Sequence, residues 1–240
     1  TGAGMLDVKK ALDEADGDAE KAIEIIRVKG LKGIAKREGR SATAGLIAAK
    51  VVEDGGSQVG VLVEVNAETD FVAKNEKFID FAAKVLDAAI ASGAQTAEEL
   101  AEAAADGGSV KELTDSMQAV IGEKIVVRRV ARLAAPRVDT YLHRTNPDLP
   151  AQVAVLVGTD EAAAEVAHDI AMHIAAYSPL YLAREDVPEE TVAKERAIAE
   201  ETTRAEGKPE KAIPKIVEGR LSGFFKENVL VDQAFAKDPK

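Results

Sequence analysis

By type, His143, His168 and His173 are the residues in this chain best suited to moving a proton or holding a metal. His168 and His173 stand five apart in sequence, about 140° round a helix, so they do not converge on one ion as an i, i+4 pair does. His143 has no neighbour in sequence to act with. Cysteine is absent, which excludes disulfides, zinc thiolates and thiol nucleophiles. There is no nucleophile-elbow serine, and Gly207-Lys208 runs into Pro209 rather than the Ser or Thr of a phosphate-binding loop. The opening TGAGML lacks the third glycine and the preceding strand of a dinucleotide fingerprint. Hydrolysis would have to rest on scattered carboxylates, which any acidic chain has in plenty. The sequence therefore predicts no enzyme, no metal and no cofactor.

A different kind of chemistry is suggested by an internal repeat. Residues 58–63 read QVGVLV and residues 152–157 read QVAVLV. The helical stripe Phe81, Ala82, Val85, Leu86, Ala89, Ile90 is answered by Val166, Ala167, Ile170, Ala171, Ile174, Ala175. The strands are offset by 94 residues and the helices by 85, so the first copy carries nine extra residues between strand and helix. Connections longer than their structural minimum are where a scaffold tends to carry function. The long junction runs NAETDFVAKNEK from Asn66 to Lys77, against only Gly158 to Glu161 in the second copy. It sets Phe71, one of six phenylalanines, among charged and amide side chains with Asp70 before it. Two readings of that pair are open. In one, favoured by the residues alone, Asp70 caps a short helical turn and Phe71 folds back as a staple on the core. In the other, Phe71 is an exposed wedge.

The elements that must position this junction are legible from periodicity. Met5, Val8, Leu12 and then Ala22, Ile23, Ile26 form two short helical stripes, with Asp18 as N-cap of the second. Two such helices bury too little to be secure alone, so either a further helix precedes them or they pack on a partner. Arg27 to Arg40 carries six basic residues and three glycines, and reads as a linker or a short irregular helix. Ala44 to Val65 reads as a β-hairpin around Asp54-Gly55-Gly56-Ser57, with Val59, Val61, Val63 and Val65 on one face. A long helix through Phe78 to Ile90 follows, then helices over Ala97 to Ala105 and Val110 to Gly122, and a strand from Ile125 to Leu133 ended by Pro136. The second copy has no counterpart of that last strand. Pro188 to Glu206 and Glu210 to Glu227 form a helical hairpin, a candidate short coiled coil.

The fold class is thus α+β: a helical module with a basic linker (1–40), a first core subdomain (41–135), a second (136–182), the hairpin (183–227) and a C-terminal segment (228–240). A chain of 240 residues accommodates one large domain or two modest ones. With 31 Lys plus Arg against 42 Asp plus Glu, the net charge of −11 repels a phosphate backbone and favours a protein partner over nucleic acid. No apolar run of membrane length and no leader pattern is visible, which predicts a soluble cytoplasmic protein.

TGAGMLDVKKAL at 1–12, EVNAETDFVAKN at 64–75, GEKIVVRRV at 122–130, AMHIAA at 171–176 and KIVEGRL at 215–221 together resemble bacterial translation elongation factor Ts, in order and across nearly the whole chain. TDFVAKN and the opening motif are the most specific of these. The resemblance implies a guanine-nucleotide exchange factor for elongation factor Tu, a GTPase, with no covalent catalysis and no nucleotide site of its own. It implies that Asp70 and Phe71, flanked by Thr69, Val72 and Asn75, enter the partner's GTPase domain near its nucleotide and Mg²⁺, which reverses the preference for the staple. The opening module resembles a ubiquitin-associated-like domain, with Met5, Leu6 and Val8 as contact or core positions. Ile125 becomes either a contact or a structural strand residue, and His143 either an interface residue or an ordinary loop histidine. The resemblance also implies a further helix before TGAGM and a helix and strand after the present end. From the residues alone the alternative function is a non-catalytic adaptor or chaperone-like scaffold that recruits partners through the helical hairpin.

Overall fold

The computed structural model describes residue 3 and residues 5–238. Two compact units divide the chain, residues 1–168 and 169–240. The first opens with α1 (Met5–Glu14) and α2 (Ala19–Arg37). Asp18 caps α2 as its type predicts, its carboxylate accepting from the N–H groups of Glu20 and Lys21 at 3.0 and 3.1 Å. The basic stretch is not a linker, since α2 runs through Gly30 and Gly33 to Arg37. A tertiary contact explains why: a Cβ at Gly30 would lie 2.9 Å from that of Ala119, so glycine there lets α2 close onto a neighbouring helix.

The hairpin forms as expected, from β1 (Ala44–Asp54) and β2 (Ser57–Ala67). A one-turn α3 (Asp70–Ala73) and the long α4 (Glu76–Ser92) follow. The next helix, α5 (Ala97–Glu102), is shorter than its apolar pattern predicts, because the chain turns at once into a two-residue hairpin, β3 (Ala104–Ala105) and β4 (Gly108–Ser109). Helix α6 (Val110–Ile121) then leads into β5 (Val126–Ala135). Strand β2 is central, antiparallel to β1 on one side and β5 on the other.

Alternation decides the layers. Val59, Val61, Val63 and Val65 are all at most 2% exposed and pack with Phe78, Phe81, Val85 and Leu86 of α4. The opposite face is covered by a second antiparallel sheet, β6 (Arg137–His143) and β7 (Val153–Thr159). A Cβ at Gly60 would lie 2.7 and 2.8 Å from Leu156 and Val138, so the residue between two inward valines must be small for the sheets to stack. Helices, three strands and two strands make an α+β stack, and the second sheet has two strands among the described residues.

The strand-then-helix order recurs, but the nine extra residues are not one loop, and Val166, which answers Phe81, lies 48% exposed ahead of the second copy's helix. β2 continues to Ala67 and α4 starts at Glu76 with α3 between them, whereas β7 stops at Thr159 and reaches α7 (Ala167–Tyr177) through a 3₁₀ turn at Ala164–Val166. The first copy has thus gained strand, a helical turn and a longer helix start together.

In the second unit Leu180 and Tyr181 donate to the carbonyl of Asn228 at 2.8 and 3.1 Å, and Leu230 donates back to Tyr181 at 2.9 Å. The expected helical hairpin is present as α8 (Glu189–Ala205) and α9 (Ile213–Asn228), closed over Ala199, Ile213, Val217 and Leu221. His173 is 3% exposed. It accepts from the Ala236 N–H at Nδ1 (3.2 Å), which leaves Nε2 to donate to Gln233 at 2.9 Å. Both ring nitrogens are therefore used within the core. His168, exposed, pairs instead with Asp139 at 2.8 Å in the first unit. Among the described residues no cluster could hold a metal, and no helix is long and apolar enough to cross a membrane.

Candidate functional site: the turn between β2 and α4

Helix α3 is a single turn between two elements anchored in the core. Thr69, rather than Asp70, is its N-cap, with φ −131° and ψ 154°, and its hydroxyl accepts from the Val72 N–H at 3.4 Å. Asn75 then caps α4, its side-chain oxygen accepting from the Lys77 N–H at 2.9 Å. The chain leaves one cap for the next within six residues, which fixes which side of α3 faces inward.

That side carries Val72 and Ala73, which are 9% and 0% exposed. Phe71 points away and is 78% exposed. The staple does not form: Val72 and Ala73 take the inward side of the turn and pack toward a core that holds Phe78 and Phe81, whose ring centroids are 6.2 Å apart. Lys74, one turn on, lies over the exposed ring with Nζ 5.2 Å from its centroid. Asp70 is exposed beside it. The turn thus raises an exposed apolar ring on a rooted base, with an acid beside it and an ammonium over it.

Two glutamates hold the root of the turn. The last β2–β5 pair is Asn66 opposite Val126, so the N–H groups of residues 68 and 69 lie past the end of the ladder. Glu123 takes them, accepting from Glu68 N–H at 3.1 Å and Thr69 N–H at 3.0 Å, while its other oxygen accepts from the Thr69 hydroxyl at 2.7 Å. Glu68 reciprocates by accepting from the Lys124 N–H at 2.7 Å and meeting Arg40 at 3.3 Å. The Lys124 N–H holds the Glu68 carboxyl below its ordinary value; desolvation opposes this and Arg40 adds to it. Sequence reasoning missed Glu123, although it sits inside the GEKIVV motif. Its one signal is an acid directly after a helix-ending glycine, where the helix dipole disfavours negative charge.

A folded-state carboxyl held below its ordinary value of 4.5 stabilises the fold fully above that value and ceases to do so as pH falls through the lower, folded one. We expect the thermal midpoint of the full chain to drop on acidification from about pH 5 downward, within the carboxylate range. Glu68→Gln should drop less over the same window. An equal drop in the variant would mean that other carboxylates carry the acid sensitivity.

The remaining expected site residues lie on separate elements. Met5 and Leu6 are 89% and 65% exposed on α1, and Val8 is half-buried. His143 ends β6, a strand position rather than a loop, and it does have a near neighbour: the Tyr141 hydroxyl lies 3.1 Å from its Nδ1. Ile125 is 3% exposed in the main core and donates its N–H to Gln118, so it packs the interior and presents no surface to a partner in this conformation. Val72 is likewise root, not tip.

The sequence profile of the family described as Elongation factor TS matches residues 68–240. Similar curated proteins include Elongation factor Ts of Beutenbergia cavernae, 68% identical over the whole of this chain and 86% of the relative. Those of Renibacterium salmoninarum and Micrococcus luteus are 63% and 64% identical with the same coverage.

Proposed function

The chain belongs to the elongation factor Ts family, and from that premise we propose that this translation elongation factor binds elongation factor Tu and accelerates release of its GDP. The observation that supports this best is Phe71, 78% exposed on a turn whose root is buried. Asp70 and Phe71 enter the partner's GTPase domain near its nucleotide and Mg²⁺, in the cytoplasm, with no covalent step and no nucleotide bound by this chain.

Thermodynamics constrains how such a wedge works. If the factor weakens GDP binding by some ratio, GDP weakens factor binding by the same ratio. Each tenfold needs about 1.4 kcal/mol of interaction that favours the partner's nucleotide-poor state over its GDP state. A rigid apolar side chain that fits only the open form supplies such a difference. A flexible one would lose part of it to ordering.

The test is stopped-flow release of fluorescent GDP from elongation factor Tu, with excess unlabelled GDP and increasing amounts of this chain. The release rate should rise and saturate. Binding with an unchanged release rate would instead favour the adaptor reading.

A further inference from the structure

We propose that Glu123 is a positioning residue of the exchange site, holding Thr69 and, through it, the turn that presents Asp70 and Phe71. The proposal rests on the exchange reading above. Its physical basis is the way the β2–β5 ladder ends. Continued two residues, the antiparallel register that closes at Asn66 and Val126 would set residue 68 against residue 124. There the backbone bonds stop and side chains replace them in a crossed pair: Glu68 takes the N–H of Lys124, and Glu123 takes the N–H groups of Glu68 and Thr69.

Glu123 differs from Glu68 in reaching the cap itself. Its Oε1 accepts the Thr69 hydroxyl proton at 2.7 Å, so that hydroxyl is oriented with a lone pair free for the Val72 N–H. One carboxylate thereby fixes two backbone amides and the side chain that starts α3. Charge-assisted bonds of this length are roughly twice as strong as neutral ones, and the partly buried amides of 68 and 69 would be left unpaired without them. Glu123 is far from the tip in sequence and bears no exposed apolar group. It acts through Thr69 and touches nothing that reacts.

Removing the clamp lets the turn sample other conformations, so only a fraction of molecules is ready to engage. Apparent affinity then falls by that fraction, while molecules that do bind carry the same wedge. The signature is a split. In the GDP-release assay Glu123→Ala should raise the half-saturating concentration about tenfold and leave the plateau rate within about twofold of the unsubstituted chain. Glu123→Gln keeps one acceptor oxygen for the two amides and should recover most of the loss. Amide hydrogen exchange of the full chain provides a second readout: Thr69 and Val72 should exchange about tenfold faster in Glu123→Ala, with residues 81–89 of α4 unchanged.

An unchanged half-saturating concentration, a fall in plateau alone, or unchanged exchange at Thr69 would each overturn the role of Glu123. General loosening, with α4 exchanging faster too, would also overturn it by making Glu123 a fold residue. If the unsubstituted chain fails to accelerate release, the exchange reading itself is lost, an outcome the variant cannot mimic.

Discussion

Phe71→Ala is expected to lower the plateau rate of GDP release about thirtyfold or more while complex formation survives. The size follows from hot-spot behaviour, in which truncating an aromatic anchor at the centre of an interface removes roughly 2 kcal/mol or more, and that corresponds to about thirtyfold in rate. Stability should change by no more than about 0.5 kcal/mol, because the ring is 78% exposed and leaves no cavity. Phe71→Leu, which keeps bulk without the flat ring, should fall between the two. Measured by stopped flow beside thermal unfolding, the variant separates wedge from fold. A plateau equal to that of the unsubstituted chain would remove Phe71 from the mechanism and leave the exposed ring as a binding contact only.

The second large effect lies beneath the first. Phe78→Ala should destabilise the first unit by about 3–5 kcal/mol, because Phe78 is fully buried against Phe81 and the valine face of β2. Against a typical stability of about 5–15 kcal/mol this is a large share. Urea denaturation should show the midpoint falling with little change in slope. A loss below about 1 kcal/mol would mean that the core collapses into the space, and that the turn above rests on a softer base than the packing indicates. The two phenylalanines, seven apart in sequence, should thus give opposite profiles: one changes exchange and not stability, the other chiefly stability.

What the sequence made legible, and what it did not, divides along a physical line. The valine alternation from Val59 to Val65, the Asp18 cap, the Gly55-Gly56 turn and the stripe of α4 are local patterns, and each appears as read. The errors come from tertiary contact. The stretch after Arg27 read as a linker or a short irregular helix because glycines weaken helices, but it continues α2, and Gly30 is where that helix meets Ala119. Phe71 looked like a staple because nothing local reveals that Val72 and Ala73, not Phe71, take the inward side of the turn. Glu123 was invisible as a partner of Thr69 because 54 residues separate them and only the end of a strand ladder brings them together. The family resemblance pointed to the tip of the turn, whereas the clamp at its root exists only through a tertiary contact.

The raised ring at Phe71 also has an optical consequence. The chain contains no tryptophan, so an indole placed at position 71 would be its sole emitter at long wavelength. It would stand in water on the outer side of α3, with the Lys74 ammonium close by as an intrinsic quencher. Entry into an apolar partner would strip away both water and cation, and the emission would brighten and shift to the blue. The geometry that exposes the tip therefore also makes it a place from which the proposed engagement can be watched without a label on the nucleotide.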